Sequence, residues 1–206
     1  MAVNMAQKRG KKAQRRKQLA ALAKREDAIR NSLPARVAKA AQAPIVHCCV
    51  NEGLFEIGIG TLVLTRGHTS PYTVAVFLLD SFGLGVKDVM FRTMESEQIE
   101  QYLDVADAGG TMVPVAPSEA RKLLRELVAW SKTHGFAPHR DFAAVEKLFG
   151  DVNADESAIV FRFGRDGEPV LISDLLDPDA ELFLLDEAPG AELADQSEAT
   201  RRGDAG

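Results

Sequence analysis

From Ile45 to Thr93 the apolar residues fall in short β-branched runs separated by turn residues, one of them alternating, the pattern of extended chain. IVHCCV (45–50) is a short β-branched run. In GLFEIGIGTLVLTR (53–66) the positions Ile57, Ile59, Leu62 and Leu64 predict a second strand with a glycine-softened start. RGHTSPY supplies turn residues, and YTVAVFLLD (72–80) returns as a third strand, so the simplest connection is an antiparallel hairpin with a loop of about five residues. VKDVMFRT (86–93) reads as a further strand.

The period then changes to that of helices. MESEQIEQYLDVAD (94–107) predicts a short amphipathic helix that turns Met94, Ile99, Tyr102 and Leu103 toward the core. AGGTMVPVAP (108–117) reads as a loop. Ser118 stands at an N-cap position, and Ala120, Leu123, Leu124, Leu127, Val128 and Trp130 follow with a 3.6-residue period up to Gly135, a natural C-terminal stop. Asp141 can cap a third helix, FAAVEKLFG, closed by Gly150. In DESAIVFRFGRDGEPVLISD (155–174) two apolar runs flank Asp166-Gly167, a hairpin signal because both turn positions tolerate positive φ.

Strands, then helices, then a hairpin argue for an α+β fold: one domain, a largely antiparallel sheet, helices packed on one face. The regular β-α alternation of a doubly wound fold is missing. The expected limits are a basic arm, disordered or nascent-helical, over residues 1–43, a globular domain over 44–186 and an acidic disordered tail over 187–206. Leu19, Leu22 and Ile29 give the arm only a loose helical spacing, and it has too few bulky apolar residues to offset its ordering entropy alone.

Charge sharpens this division. Residues 1–43 carry 12 Lys and Arg against Glu26 and Asp27, a balance of +10, whereas residues 44–206 carry 13 against 28 acids, a balance of −15. No apolar run approaches the roughly 18 residues that span a bilayer, and the basic N-terminus lacks the apolar segment of a secretory signal. A cytoplasmic protein with no membrane partner is expected. Cys48 and Cys49, adjacent on an extended strand, point to opposite faces and read as free buried thiols. His47 beside them makes no zinc set, because no second cysteine pair exists, so no metal site is expected.

Two stretches carry candidate chemistry. In VAVFLLDSFGLGVKDVMFR (74–92) the order Asp80, Gly83, Gly85, Lys87 holds the ingredients of a phosphate cradle. It distantly resembles the phosphate-1 turn of sugar kinases but lacks the adjacent glycine pair and hydroxyl residue of that turn, and it has no Walker signature. The competing reading is a glycine-bent strand or bulge. In THGFAPHRD (133–141), His134, His139 and Asp141 could supply metal ligands or a proton-transferring histidine. Ordinary duties compete here too, since His134 suits a helix C-terminus and Asp141 a cap. An enzymatic reading, a hydrolase or phosphotransferase of unknown cofactor, therefore rests on Asp80, Lys87, His139 and Asp141 converging.

The segments VNEGLFEIGIGTLVLTR, FLLDSFGLGVKD, THGFAPHRDFAAVEKLFGD and FRFGRDGEPVLIS, covering most of residues 50–173, together resemble an uncharacterised bacterial protein family. Its pattern is D-x-F-x-L-G-V-K-D followed by H-G-F-x-P-H-x-D-F. In that family a cysteine precedes the Leu-Gly of the turn, where this chain has Gly83. The resemblance implies a shared fold and no obligatory thiol at the turn, and it implies no activity.

The arm carries the leading functional expectation. KRGKKAQRRK packs seven cations, Lys8, Arg9, Lys11, Lys12, Arg15, Arg16 and Lys17, into ten residues of an otherwise acidic chain. Cations placed on a phosphate backbone release condensed counterions, so such an arm binds nucleic acid with an affinity that falls steeply with salt. Without an aromatic residue it encodes no base stacking. RNA or the ribosome is the expected partner, an acidic protein partner or a neutralising contact with the acidic body the alternative. Chain size and charge asymmetry would also suit a toxin-antitoxin or phage-defence component.

Overall fold

Alternation along the strands builds a sheet with two buried faces. The computed structural model describes residues 31–108 and 110–170, together with residues 17, 20–22, 24, 25, 28 and 29. The strands are β1 (Ile45–Asn51), β2 (Ile59–Arg66), β3 (Tyr72–Asp80), β4 (Gly85–Met94) and β5 (Met112–Pro114), in one antiparallel sheet ordered β4-β3-β2-β1-β5. Leu62, Leu64, Ala75, Phe77 and Leu79 point to the main core, and Val63, Val74 and Val76 to a second one behind it. This double burial is why β2 and β3 read as almost unbroken apolar runs.

The helices are α1 (Leu33–Ala40), α2 (Leu54–Ile57), α3 (Ser96–Ala108), α4 (Pro117–Thr133) and α5 (Phe142–Val145), the last continued by a 3₁₀ turn over Glu146–Phe149. On the main face, α4 buries Ala120, Leu123, Leu124, Leu127 and Val128, joined by Val37 of α1, Phe142 and Val145 of α5, and Leu148 and Phe149. On the other face α3 sets Ile99, Tyr102 and Leu103 against Met94 and Val76. The fold is α+β, with the expected helical layer on one face and α3 as a smaller second layer.

Three local features depart from the pattern in the sequence. Residues 54–57, expected in a strand, form the single helical turn α2: the Ile57 amide bonds to Gly53 O and the Gly58 amide to Leu54 O, and Gly58 ends the turn at φ 92°. Ile57, which mimicked strand alternation, is 57% exposed. Met112–Pro114, expected as loop, pairs with β1 through Val50 and Val113; the missing amide of Pro114 is tolerated on an edge strand. Helix α4 begins after Ala116 with Pro117 in its first turn, so a proline whose fixed φ suits that position takes the place of the Ser118 cap.

The hairpin signal at Asp166-Gly167 is a tight turn, with φ 56° and 88° and reciprocal backbone bonds between Arg165 and Glu168. Residues 158–163 before it belong to no strand among the described residues, and most of the second apolar run lies outside those residues, as does the acidic tail. Where the arm was expected to continue through residue 43, the structure seats residues 33–43 on the body. Val37 is fully buried, and Arg66 donates to the carbonyls of Ala41 and Ala43 and, at 2.7 Å, of Phe149. Pro34 stands in the first turn of α1, where its missing N–H has no bond to lose.

Candidate functional site

The turn between β3 and β4 is built by Asp80 itself. Its Oδ1 accepts from the amides of Phe82 at 3.0 Å and Gly83 at 2.8 Å, and the residue is 1% exposed. Ser81 Oγ donates to Leu54 O at 2.9 Å and ties the same turn to α2. Gly85 leaves the turn at φ 78° with Ser131 of α4 so close that an added Cβ would lie 2.4 Å from its Oγ. Gly85 and the Asp80 carboxylate here answer needs of the backbone: a sharp reversal beside a close helix, and a lock for two buried amides.

Lys87 is the extra residue of a bulge. Leu78 faces Asp88 and Leu79 faces Val86, so the register steps over Lys87. The loop after α4 is fastened beside it: the His139 amide donates to Val86 O at 2.9 Å, and His139 Nε2 lies 3.5 Å from Asp88 Oδ1. The Asp141 amide points at His139 Nδ1 from 3.3 Å. With Nδ1 accepting, the proton of the neutral ring sits on Nε2, facing Asp88.

The structure therefore brings His139 and Asp141 together and adds Asp88, with Lys87 next to it on the strand. Among the described residues no hydrogen bond or ion pair joins Asp80 to His139. His134 stays at the C-terminal end of α4, where its ring lies 4.6 Å from Trp130 and its Nδ1 is 3.0 Å from Trp130 O. Asp141 holds the N-cap position of α5 without a capping bond from its side chain.

The thiols are split by the pleat, Cys48 into the main core and Cys49 into the second. Burial pushes the Cys48 thiol up to about 12, with Cys49 and Glu119 adding to the shift, so it is protonated and unreactive near neutrality. Among the described residues no three His, Cys, Asp or Glu side chains are grouped to hold a metal ion. Of the seven cations of KRGKKAQRRK, Lys17 is described, exposed on a helical residue; Lys8, Arg9, Lys11, Lys12, Arg15 and Arg16 lie outside the described residues.

The sequence pattern did not single out the charge cluster around the buried Glu146, which pairs a buried arginine and a half-exposed one. Glu146 takes Arg121 Nε and Arg125 Nε, each at 2.7 Å. Arg121 Nη1 also donates to Gly150 O at 2.9 Å and Val152 O at 2.5 Å. Burial works against the Glu146 charge, and the two guanidinium hydrogen bonds and charges outweigh it, leaving the carboxyl below its ordinary range. Two arginines at i and i+4 on one helix were the available signal, because neighbouring like charges repel unless an anion sits between them.

Comparison with protein-family models, with curated proteins and with solved structures finds no match for this chain.

Proposed function

We propose that the protein is a nucleic-acid-associated binding protein that uses its cationic N-terminal arm to hold RNA or the ribosome. One observation carries the reading: seven cations stand in ten residues of a chain whose residues 44–206 balance at −15. The remainder of such a chain has a net charge of the same sign as phosphate, so the arm is the element best suited to polyanions and only a local cationic patch of the body can join it. This reading implies a cytoplasmic protein, and no described helix is long and apolar enough to cross a membrane. Deleting residues 1–30 abolishes RNA retention and leaves the thermal transition in place. Full binding by the truncated body, or binding indifferent to salt, refutes the reading.

A hydrolase or phosphotransferase is the second reading, favoured by one contact, His139 Nε2 against Asp88 Oδ1 with Asp141 alongside. A histidine and carboxylate held side by side can move a proton once substrate binding draws them into hydrogen-bond reach. It calls for Asp88→Asn and His139→Gln to abolish a phosphoester hydrolysis that the wild-type protein performs. The binding reading calls for both variants to retain RNA.

A further inference from the structure

The charge division along the chain has a counterpart across the sheet. On the main face α1, α5 and the 3₁₀ turn pack on one another, and their exposed charged residues include Arg36 and Lys39, Arg140 just before α5, and Lys147 after it. Val37 is fully buried and fixes the inward side of α1; Lys39, two residues on, falls on the opposite side of the helix. Arg36 lies 5.2 Å over the ring of Phe91 in β4, and the His139 amide holds Val86 of that same strand. Arg36 and Arg140 therefore both belong to the β4 side of this layer.

The acids of the layer leave these cations largely available. Glu146 is engaged by Arg121 and Arg125. Asp141 approaches Arg140 only to 4.0 Å, with the arginine side chain 88% exposed, a pairing worth little in water. Asp151 is exposed beside Gly150. Behind the sheet α3 exposes Glu97, Glu100 and Asp104 and contains no Lys or Arg, with the cation Arg92 of β4 close to its Tyr102. The arm enters the body through α1, the cationic side, and Lys24 and Arg25 ahead of it are exposed on helical residues.

We infer that the phosphate backbone held by the arm continues onto the body across the α1–α5 face, where Lys39, Arg140 and Lys147 contact it, with the α3 face turned away. This rests on the reading of the arm as a nucleic-acid-binding element. Opposite charge on the two faces orients a polyanion as it approaches, and continuity with the arm gives it one path.

The test is a salt titration of binding to a fluorescein-labelled, mixed-sequence single-stranded RNA by the full chain and two variants. Each phosphate of a single strand that is no longer neutralised by a cation flattens the slope of log K against log salt by about 0.7, so Lys39→Gln, Arg140→Gln and Lys147→Gln together flatten it by about 2. Glu97→Gln, Glu100→Gln and Asp104→Asn together leave the slope unchanged. An unaltered slope in the cation variant, with strong binding by the full chain, overturns the inference and leaves the arm reading standing. No salt-dependent RNA binding by the full chain overturns both. Binding of poly-glutamate in place of RNA does the same in favour of an acidic protein partner.

Discussion

Asp80 shows how one residue supports two readings until its hydrogen bonds are known. Acid, glycines and lysine in that order suit a phosphate turn, yet the carboxylate is buried and locks two amides. An amide side chain can accept the same two bonds, so Asp80→Asn keeps most of the stability. Asp80→Ala strands both amides and costs about 2 to 4 kcal/mol in denaturant unfolding. Equal loss in the two variants contradicts the turn role. His139 and Asp141 were legible as a pair from their spacing. Asp88 was not, because its pairing with His139 crosses 51 residues and depends on the bulge at Lys87.

Glu146 makes the corresponding argument for charge. Its folded-state value lies below the ordinary glutamate value, so its contribution is fully present above that value and is lost as pH falls through the depressed folded one. Glu146→Gln, which leaves two guanidinium groups without their anion, costs about 3 kcal/mol at neutral pH. The gap between variant and wild type narrows in acid. A gap that widens toward low pH reverses the sign and contradicts the account.

At the level of elements, long periodic segments were readable and short ones were not. YTVAVFLLD is β3 to the residue, and the period from Ala120 to Trp130 is α4, because many side chains repeat one instruction. Helix α2 has four residues and β5 three, too few for a period; glycine geometry at Gly58 and pairing with distant β1 decide them. Helix α1 was hidden in a basic stretch, with Val37 as its sole fully buried side chain. Its docking separates two truncations. Removing residues 1–30 leaves the unfolding midpoint within a few degrees of wild type. Removing 1–43 exposes the Val37 pocket and strips Arg66 of two carbonyl partners, costing about 3 kcal/mol or more. Equal midpoints for the two truncations contradict the seating of α1.

Over the whole molecule, apolar clusters on both sides of the sheet carry the fold and its few buried polar groups lock turns and loops, while the cations concentrate at one end of the chain. The α+β class was legible because strands precede helices in the chain. The second helical layer went unread, although the almost unbroken apolar runs of β2 and β3 are the mark of a sheet covered on both faces. The central claim is that RNA is held by the arm, and co-purification tests it most directly. Full chain and a chain lacking residues 1–30 are isolated after gentle lysis in low salt and in high salt, and the bound nucleic acid is measured and identified. The account predicts RNA with the full chain in low salt, its release in high salt and none with the truncated chain. RNA retained by the truncated chain, or none with the full chain in low salt, contradicts it.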